Sequence, residues 1–442
     1  MIDAQDKHEA PAEPPALHGR WTICAMLFVA TTINYVDRSV LSILKPYLHG
    51  QVIHLQPLIP GWPTVTTTIN LTDQQYGYVL AAFQIAYALG VVFAGRLVDR
   101  VGCRIGYPLV TGLWSLAAMA HALVRSVMGF GVARFFLGLG ESGNFPAAIK
   151  ATAEWFPPRE RALATGIFNS GAGVGAILAP LAVPWVAIHF GWRASFLMTG
   201  LFSALWIVWW SIRYRRPHEI YGAEAQKLEA AVAQVDVYPW WRLLSYRQAW
   251  GFMIGKFLTD PVWWFFLFWL PQYFHSRFSL DLTHIGPPLV AVYVVSTVGS
   301  VYGGWLPKGY MRLGMNLKAA RLAAMLTCAC CVLPVMTAGS LGSEWIAVGI
   351  LSLAAAAHQG WSANIFTTAS DMFPSEHVGT VVSFGQVAGA LGGALFQPIA
   401  GNILQLTGSY VPLFIFCGCA YLLALVLLRT LAPGLKPAQL QA

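Results

Sequence analysis

The sequence predicts an all-α membrane protein of twelve transmembrane helices, arranged as two six-helix bundles with both termini in the cytoplasm. Apolar residues make up 57% of the 442 residues, whereas charged residues make up only 10%, against roughly 25% in an ordinary soluble domain. The apolar residues are gathered into segments of about twenty residues or more. This is the length that an α-helix needs to cross the hydrocarbon core of a bilayer.

Six such segments lie on each side of a polar stretch at 213–245. The first twenty residues are polar and do not resemble a cleavable signal. We expect a disordered tail at 1–20, an N-terminal bundle at 21–212, a linker at 213–245 with a short helix at 222–235, a C-terminal bundle at 246–431 and a second tail at 432–442. The predicted spans are about 21–45, 75–97, 104–124, 127–152, 161–189, 192–212, 246–275, 284–306, 318–338, 344–370, 377–405 and 409–430.

The basic residues indicate the orientation. With the N-terminus inside, twenty of the 27 lysine and arginine residues fall on inner loops, tails and helix ends, and three fall inside spans. The outer side receives only four, which are Lys45, Arg125, Arg193 and Arg277. This asymmetry follows the positive-inside rule. Because orientation accounts for the net charge of +8, we expect no nucleic-acid partner.

Cysteines and catalytic motifs argue against an enzyme. The cluster of Cys328, Cys330 and Cys331 has no histidine or acid nearby, so we interpret it as small packing residues rather than a metal site or a disulfide framework. No activated nucleophile or phosphate-binding loop is apparent. We therefore expect no cofactor, no metal and no enzymatic activity.

The two halves of the chain resemble each other. AEWFPPRERALATGIFNSGAGVGAILAP (153–180) and SDMFPSEHVGTVVSFGQVAGALGGALFQP (370–398) both place an acid before Phe-Pro and then a glycine-rich helix. Parallel repeats predict two bundles that face each other across a central cavity. The glycines either let helices slide or simply allow tight packing, and the sequence favours neither.

Four segments carry a family resemblance. GRLVDRVGCR (95–104) resembles the inner-loop motif of the major facilitator superfamily, although Cys103 replaces a basic residue there. INYVDRSVLS (33–42), RFFLGLGESGNFPAAIKATAEWFPPRERALATGIFNSG (134–171) and HQGWSANIFTTASDMFP (358–374) resemble its anion:cation symporter branch, in particular the hexuronate transporters, with galactonate transporters as near relatives. The resemblance implies a multi-pass protein of the bacterial inner membrane.

Charged residues inside apolar spans are the strongest candidates for function, because their burial is expensive. Arg134 and Glu141 are seven residues apart, so they share one helix face about 10 Å apart along the axis. Asp37 and Arg38 are adjacent and point about 100° apart. One interpretation is a structural ion pair, for example between Asp37 and Arg134.

The other interpretation uses both signs of charge. Arg38 and Arg134 are candidates for a clamp on the substrate carboxylate, since guanidinium binds a carboxylate through two hydrogen bonds. Asp37 and Glu141 are candidates for proton coupling, and the resemblance to galactonate transporters implies the same positions. In the expected cycle, deprotonation of Glu141 restores its attraction for Arg134 and helps to eject the anion.

Uncharged residues could complete a site for a sugar, which needs hydroxyl partners and an aromatic wall. On span 7, Lys256 and Asp260 either neutralise each other at i,i+4 or present Lys256 to the far end of the substrate. The other candidates are Tyr35, Tyr87 and Asn169 from the N-terminal half and His358, Gln359, Trp361, Asn364 and Gln386 from the C-terminal half.

Two loops are expected to act as gates or covers. Asp99, with Arg100 and Arg104, belongs to the inner-loop motif, where charge pairing would latch the outward-open state. The outer loop at 46–74 is long, nearly uncharged and rich in proline, so we interpret it as a cap.

The function expected from these residues and the resemblance is proton-coupled import of a sugar acid, a hexuronate such as galacturonate or glucuronate, by alternating access. Its partners would be the small-molecule substrate, protons and membrane lipid, and the protein would be a monomer. The alternative is an organic-anion or organophosphate exchanger of the same fold without proton coupling. A transporter-like sensor would need a signalling domain, and no loop is long enough to form one.

Overall fold

The computed structural model describes residues 17–48, 70–216, 219–220, 222 and 239–439, and these are mostly helical. Residues 1–16 of the predicted tail, 49–69 of the predicted cap, 223–235 of the predicted linker helix and the last three residues lie outside the described residues. The helices are α1 (Arg20–Leu44), α2 (Asp73–Val101), α3 (Cys103–Ala120), α4 (Val127–Glu141), α5 (Asn144–Trp155), α6 (Pro158–Phe190), α7 (Trp192–Arg213), α8 (Trp240–Leu243), α9 (Arg247–Phe278), α10 (Gly286–Arg312), α11 (Leu317–Val332), α12 (Glu344–Met372), α13 (Ser375–Thr407) and α14 (Val411–Leu431).

The helices are those of a membrane protein. Within the described ranges, nine are long and apolar enough to cross a bilayer. Their outward surfaces carry large exposed apolar side chains, such as Val301 at 76% and Leu395 at 61%, which lipid would cover. The predicted spans at 104–124, 127–152 and 246–275 are also helical, and the total of twelve crossings stays a prediction.

Local sequence explains where several helices begin and end. Thr72 and Gln75 form a capping box at the start of α2. The passages from α2 to α3 and from α6 to α7 use single glycines, Gly102 at φ 76° and Gly191 at φ 90°. A residue without a Cβ adopts these left-handed values at low cost, so each pair of helices turns within one residue.

The predicted span at 127–152 is helical but its regular hydrogen bonding is interrupted once. α4 ends at Glu141, and α5 begins at Asn144 after a turn at Ser142 and Gly143. Pro146 has no N–H to bond the carbonyl of Ser142, so a continuous helix would lose a hydrogen bond there. The break places Glu141 at a helix end in the middle of the bundle.

The two halves are built from equivalent helix pairs. In the N-terminal half α1 packs along α6, α2 along α4 and α3 along α7; in the C-terminal half α10 packs along α12 and α9 along α13 and α14. Across the halves, α2 lies against α13, α6 against α10 and α1 against α9. In the repeat, α2 corresponds to α10 and α6 corresponds to α13. The contact of α2 with α13 is therefore equivalent to the contact of α10 with α6, as the parallel repeats in the sequence predict.

The contact surface between the halves, called the seam here, is closed at the end where α2 begins. A Cβ on Gly77 would lie 2.5 Å from the backbone oxygen of Gln397, and Tyr76 donates its hydroxyl to the Phe268 carbonyl at 2.9 Å. Along α6, a Cβ on Gly173 would lie 2.9 Å from Thr297 of α10. By contrast, a Cβ on Gly166 would meet no neighbouring atom of the described chain within 4 Å. The seam therefore opens towards the opposite end.

Candidate functional site

A buried ion pair joins α1 to the end of α4. Arg38 is 3% exposed and Glu141 is fully buried, and the Nε of Arg38 donates a hydrogen bond to Oε2 of Glu141. The other carboxylate oxygen of Glu141 has no hydrogen-bond partner among the described residues. Two opposite charges at this depth neutralise each other, while the pair keeps capacity for another ligand.

Arg134 supports this pair through the backbone. Its two terminal nitrogens both donate to the carbonyl oxygen of Arg38 at 3.2 Å. The direct ion-pair partner of Glu141 in this conformation is Arg38 rather than Arg134. Arg134 is fully buried, and its guanidinium carbon lies 5.9 Å from the ring centre of Phe83, which is 5.6 Å from that of Arg38. The clamp of both arginines on one carboxylate stays a prediction.

Asp37 lies on a different side of α1 from the ion pair. Its Oδ2 accepts a hydrogen bond from the Ser203 hydroxyl of α7 at 3.4 Å, and its Oδ1 has no partner within the described ranges. Adjacent helical residues diverge by about 100°, which explains why Asp37 and Arg38 have different neighbours. The structure records no ion pair between Asp37 and Arg134 among these residues; the buried ion pair that it records joins Arg38 to Glu141.

Four aromatic rings surround the Arg38 guanidinium. Three belong to the N-terminal half and one, Trp264, belongs to α9 of the C-terminal half. The guanidinium carbon lies 4.9 Å from the ring centre of Tyr35, 4.9 Å from Tyr87, 5.3 Å from Trp264 and 5.6 Å from Phe83. This Arg38 cage excludes water while the ring faces favour a cation.

A second ion pair lies in the C-terminal half. The Nζ of Lys256 is 2.8 Å from Oδ1 of Asp260, one turn along α9, and 4.3 Å from the ring centre of Phe366. Lys256 is 5% exposed. Asp260 contacts α13 at Gly389, where an added Cβ would collide with its carboxylate. The pair is therefore held between α9, α12 and α13.

The predicted polar residues of α12 divide into two groups. His358 shares a 2.6 Å hydrogen bond with the Tyr421 hydroxyl and stacks on Trp263 at 5.3 Å. Trp361 is fully buried against Tyr421. Asn364 donates to backbone carbonyls of α10 and α12, so it joins these helices.

In the described conformation Trp361 and Asn364 are enclosed in the packing of α12 against its neighbouring helices, and Nε1 of Trp361 has no hydrogen-bond partner among the described residues. Their role in the site stays a prediction. Gln359 and Gln386 remain half-buried, and Asn169 is exposed on α6.

The inner-loop motif forms ion pairs with residues outside it. Oδ1 of Asp99 lies 3.0 Å from Nζ of Lys150, and Nη1 of Arg104 lies 3.2 Å from Oε2 of Glu219. Asp99, Arg100 and Arg104 were expected to latch the outward-open state by charge pairing, which stays a prediction. In the described conformation Asp99 bonds Lys150 of α5, Arg104 bonds Glu219 and Arg100 is exposed.

One polar cluster at the closed end was not predicted. Lys45, only 1% exposed, is paired with Asp73, and the same Asp73 oxygen accepts Nε2 of Gln272 from α9 at 2.5 Å. The sequence signal was a lysine counted among outer residues and an acid in the first turn of α2. Neither reveals a partner in the other half of the chain.

Two helical halves that meet around a buried cation, with the seam closed at one end only, define a membrane transporter rather than an enzyme. The chain belongs to the Major Facilitator Superfamily, whose family model matches residues 27–397. The resemblance to that superfamily and to the hexuronate transporters is confirmed.

Named relatives are similar over most of their length. The chain is 29% identical over 432 residues to a hexuronate transporter of Escherichia coli (strain K12), covering 95% of each chain. It is 28% identical over 349 residues to a galacturonate transporter of Dickeya chrysanthemi, covering 76% of this chain and 95% of the relative. The solved structure of a D-xylose-proton symporter matches with a TM-score of 0.71 at 14% identity, covering 95% of this chain and 99% of the other, which supports the fold alone.

Proposed function

We propose that this transporter imports a sugar acid with protons by alternating access, as a monomer in the bacterial inner membrane. The sugar acid is a hexuronate such as galacturonate or glucuronate. The observation that carries the proposal is the buried Arg38–Glu141 pair inside an aromatic cage to which both halves contribute. The hexuronate and galacturonate transporters among the relatives support the choice of substrate.

Arg38 binds the substrate carboxylate by exchanging partners. Its Nε now donates to Glu141, and a guanidinium has five N–H donors in a planar fork that matches a carboxylate. An incoming anion competes with Glu141 for this cation. A displaced carboxylate at zero exposure is costly, so Glu141 takes up a proton when it loses Arg38.

The reverse exchange releases the substrate. When the proton leaves Glu141, the carboxylate pairs with Arg38 again and the substrate anion is displaced. Asp37, on another side of α1, is a second proton site, and the Ser203 hydroxyl donates a hydrogen bond to its carboxylate. Arg134 contributes by fixing the Arg38 backbone rather than by contacting the anion.

The remaining contacts come from both halves. Tyr35 and Tyr87 beside Arg38 form the aromatic wall for the sugar ring. Lys256, oriented by Asp260, binds the far end of the substrate from the C-terminal half. His358, Gln359, Gln386 and Asn169 are the further candidates for hydroxyl groups.

With the predicted topology, the closed end of the seam faces outside and the described conformation is inward-facing. In each cycle the contacts at the closed end, such as Tyr76 with Phe268, must break. Asp99 and Arg104 lie at the opposite end, where their ion pairs act in the inner gate.

The test is uptake of labelled galacturonate and glucuronate into proteoliposomes, with and without an inward proton gradient. Wild type should accumulate the sugar acid only with the gradient. Glu141→Gln should lose this accumulation yet keep counterflow exchange, because an amide can neither carry the proton nor block Arg38 as a carboxylate does.

Two results would contradict the proposal. Uptake that is independent of the gradient in wild type, with exchange of organic anions or phosphate esters, would favour the exchanger alternative. Failure of folded wild type to transport either hexuronate would exclude the substrate class.

A further inference from the structure

A buried amide lies in the seam beside the Arg38 cage. Gln84 of α2 is 0% exposed, and neither Oε1 nor Nε2 has a hydrogen-bond partner among the described residues. Leaving a buried amide unpaired costs free energy, and most buried polar groups in native proteins are paired. An amide in this position therefore points to a partner that is bound in another state of the protein.

The C-terminal half covers this amide. A Cβ on Gly393 of α13 would lie 3.2 Å from Cδ of Gln84 and 3.1 Å from Cδ1 of Trp264. On its own helix, Gln84 lies between Phe83 and Tyr87, whose rings both flank Arg38. The amide of Gln84 and the cation of Arg38 thus belong to the N-terminal half, while Gly393 and Trp264, which cover the amide, belong to the C-terminal half.

We propose that Gln84 is a substrate-binding residue of the outward-open transporter, where its amide binds a hydroxyl group of the sugar acid held by Arg38. This rests on the proposed function. Alternating access requires α13 and Trp264 to move away from α2 at the closed end, which exposes the amide next to the cation. A carboxamide offers both a donor and an acceptor, so it suits a sugar hydroxyl.

The proposal gives the two faces of the membrane different affinities. The substrate contacts Gln84 when the seam is open to the outside and loses this contact when Gly393 and Trp264 close over the amide. Because one contact is lost on the way in, binding is weaker at the inner face. This difference favours release into the cell.

The test compares the KM at the two faces for Gln84→Met, which keeps the side-chain length and removes the amide. Uptake of labelled galacturonate by intact cells reports the outer face, and uptake by inverted vesicles reports the inner face. We expect the outer KM to rise roughly five- to tenfold, which corresponds to one lost hydrogen bond. The inner KM should change less than about twofold.

The control is Gln397→Met. Gln397 is also fully buried in the seam, beside Gly77 and so two turns further out, but its Oε1 accepts from Trp269 at 2.6 Å and only its Nε2 lacks a partner among the described residues. It should leave the outer KM unchanged. Two results would overturn the proposal. One is an equal rise of the outer KM in Gln84→Met and Gln397→Met, and the other is a fall of the inner KM in Gln84→Met that matches the rise of its outer KM. Either result means that the substitution shifts the equilibrium between the open and closed states.

A second measurement separates this inference from the proposed function. Gln84→Cys, in intact cells, should react with a membrane-impermeant maleimide, and galacturonate should slow the reaction while galactose should not. No labelling from outside in cells with folded transporter would overturn the assignment of Gln84. Wild type that transports neither hexuronate would instead contradict the proposed function, and the labelling would still show whether Gln84 meets the outer solution.

Discussion

The guanidinium carbon of Arg38 lies 5.3 Å from the ring centre of Trp264, so a residue of the C-terminal half covers the cation of the N-terminal half. The indole also meets Tyr87 edge-on at 6.4 Å and stacks on Phe268 at 5.5 Å. This contact joins the halves at the proposed anion site. It therefore connects occupation of that site with the state of the seam.

Removal of the Trp264 ring should weaken substrate binding. Trp264→Ala takes away one wall of the Arg38 cage and admits water to the cation while the seam is closed at its outer end, so we expect the KM at the inner face, measured with inverted vesicles, to rise roughly three- to thirtyfold, the range of a cation–π contact. Trp264→Phe should retain most of the affinity. Trp305→Ala on α10, where the indole is 49% exposed, is the control and should have wild-type KM; equal effects of the two alanine variants would contradict this role.

Replacement of Arg38 by lysine should damage recognition although the charge is kept. Lysine cannot offer a planar fork to a carboxylate, so kcat/KM for the sugar acid should fall roughly 10- to 100-fold. Uptake kinetics in proteoliposomes measure this. Wild-type kcat/KM in Arg38→Lys would show that the cation acts only as a charge.

Replacement of Arg134 should affect stability more than recognition. Arg134→Lys loses the paired donation to the Arg38 carbonyl, so the apparent Tm should fall by about 2 °C. In the fraction that folds, the KM should stay within about twofold of wild type. Thermal unfolding in detergent and uptake kinetics measure both, and a large KM change without a Tm change would restore Arg134 to the anion clamp.

Weakening of the polar cluster at the closed end should open the seam there. Gln272→Leu removes the hydrogen bond to Asp73 across the halves, which should enrich the outward-open state roughly fivefold. The distance distribution between spin labels at Gln74→Cys and Leu406→Cys, in a background lacking exposed cysteines, measures the long-distance fraction.

The control for this variant is Gln405→Leu, because Gln405 is exposed near the same end of α13. It should leave the distance distribution unchanged. Identical distributions for wild type and Gln272→Leu would mean that the bond to Asp73 does not hold the seam closed.

Residues that bear charge inside apolar segments could be found from the sequence. Arg38, Arg134 and Glu141 were identified because burial of a charge is expensive enough to mark function or pairing. Their partners could not be found in this way. Arg38 and Glu141 are 103 residues apart, and helical spacing gives the face of a helix but not the helix that it meets.

Polar residues without charge were harder to assign. His358, Trp361 and Asn364 look alike as a polar group in an alanine-rich helix, yet Asn364 bonds the backbone of α10 and Trp361 is enclosed. Gln84 escaped notice because a single glutamine in an apolar helix carries no pattern. Burial and the lack of a partner become visible only when the neighbouring helices are in place.

The sequence by itself determined the membrane class, the helices, their expected orientation and the charged residues, because hydropathy, charge asymmetry and motifs are local properties of the chain. Only the tertiary structure decided that Glu141 pairs with Arg38, that α4 breaks at Glu141 and that the seam is closed at the end near Asp73. These depend on which helix faces pack together. Packing is a property of the whole fold, and several partners of similar chemistry compete for each buried charge.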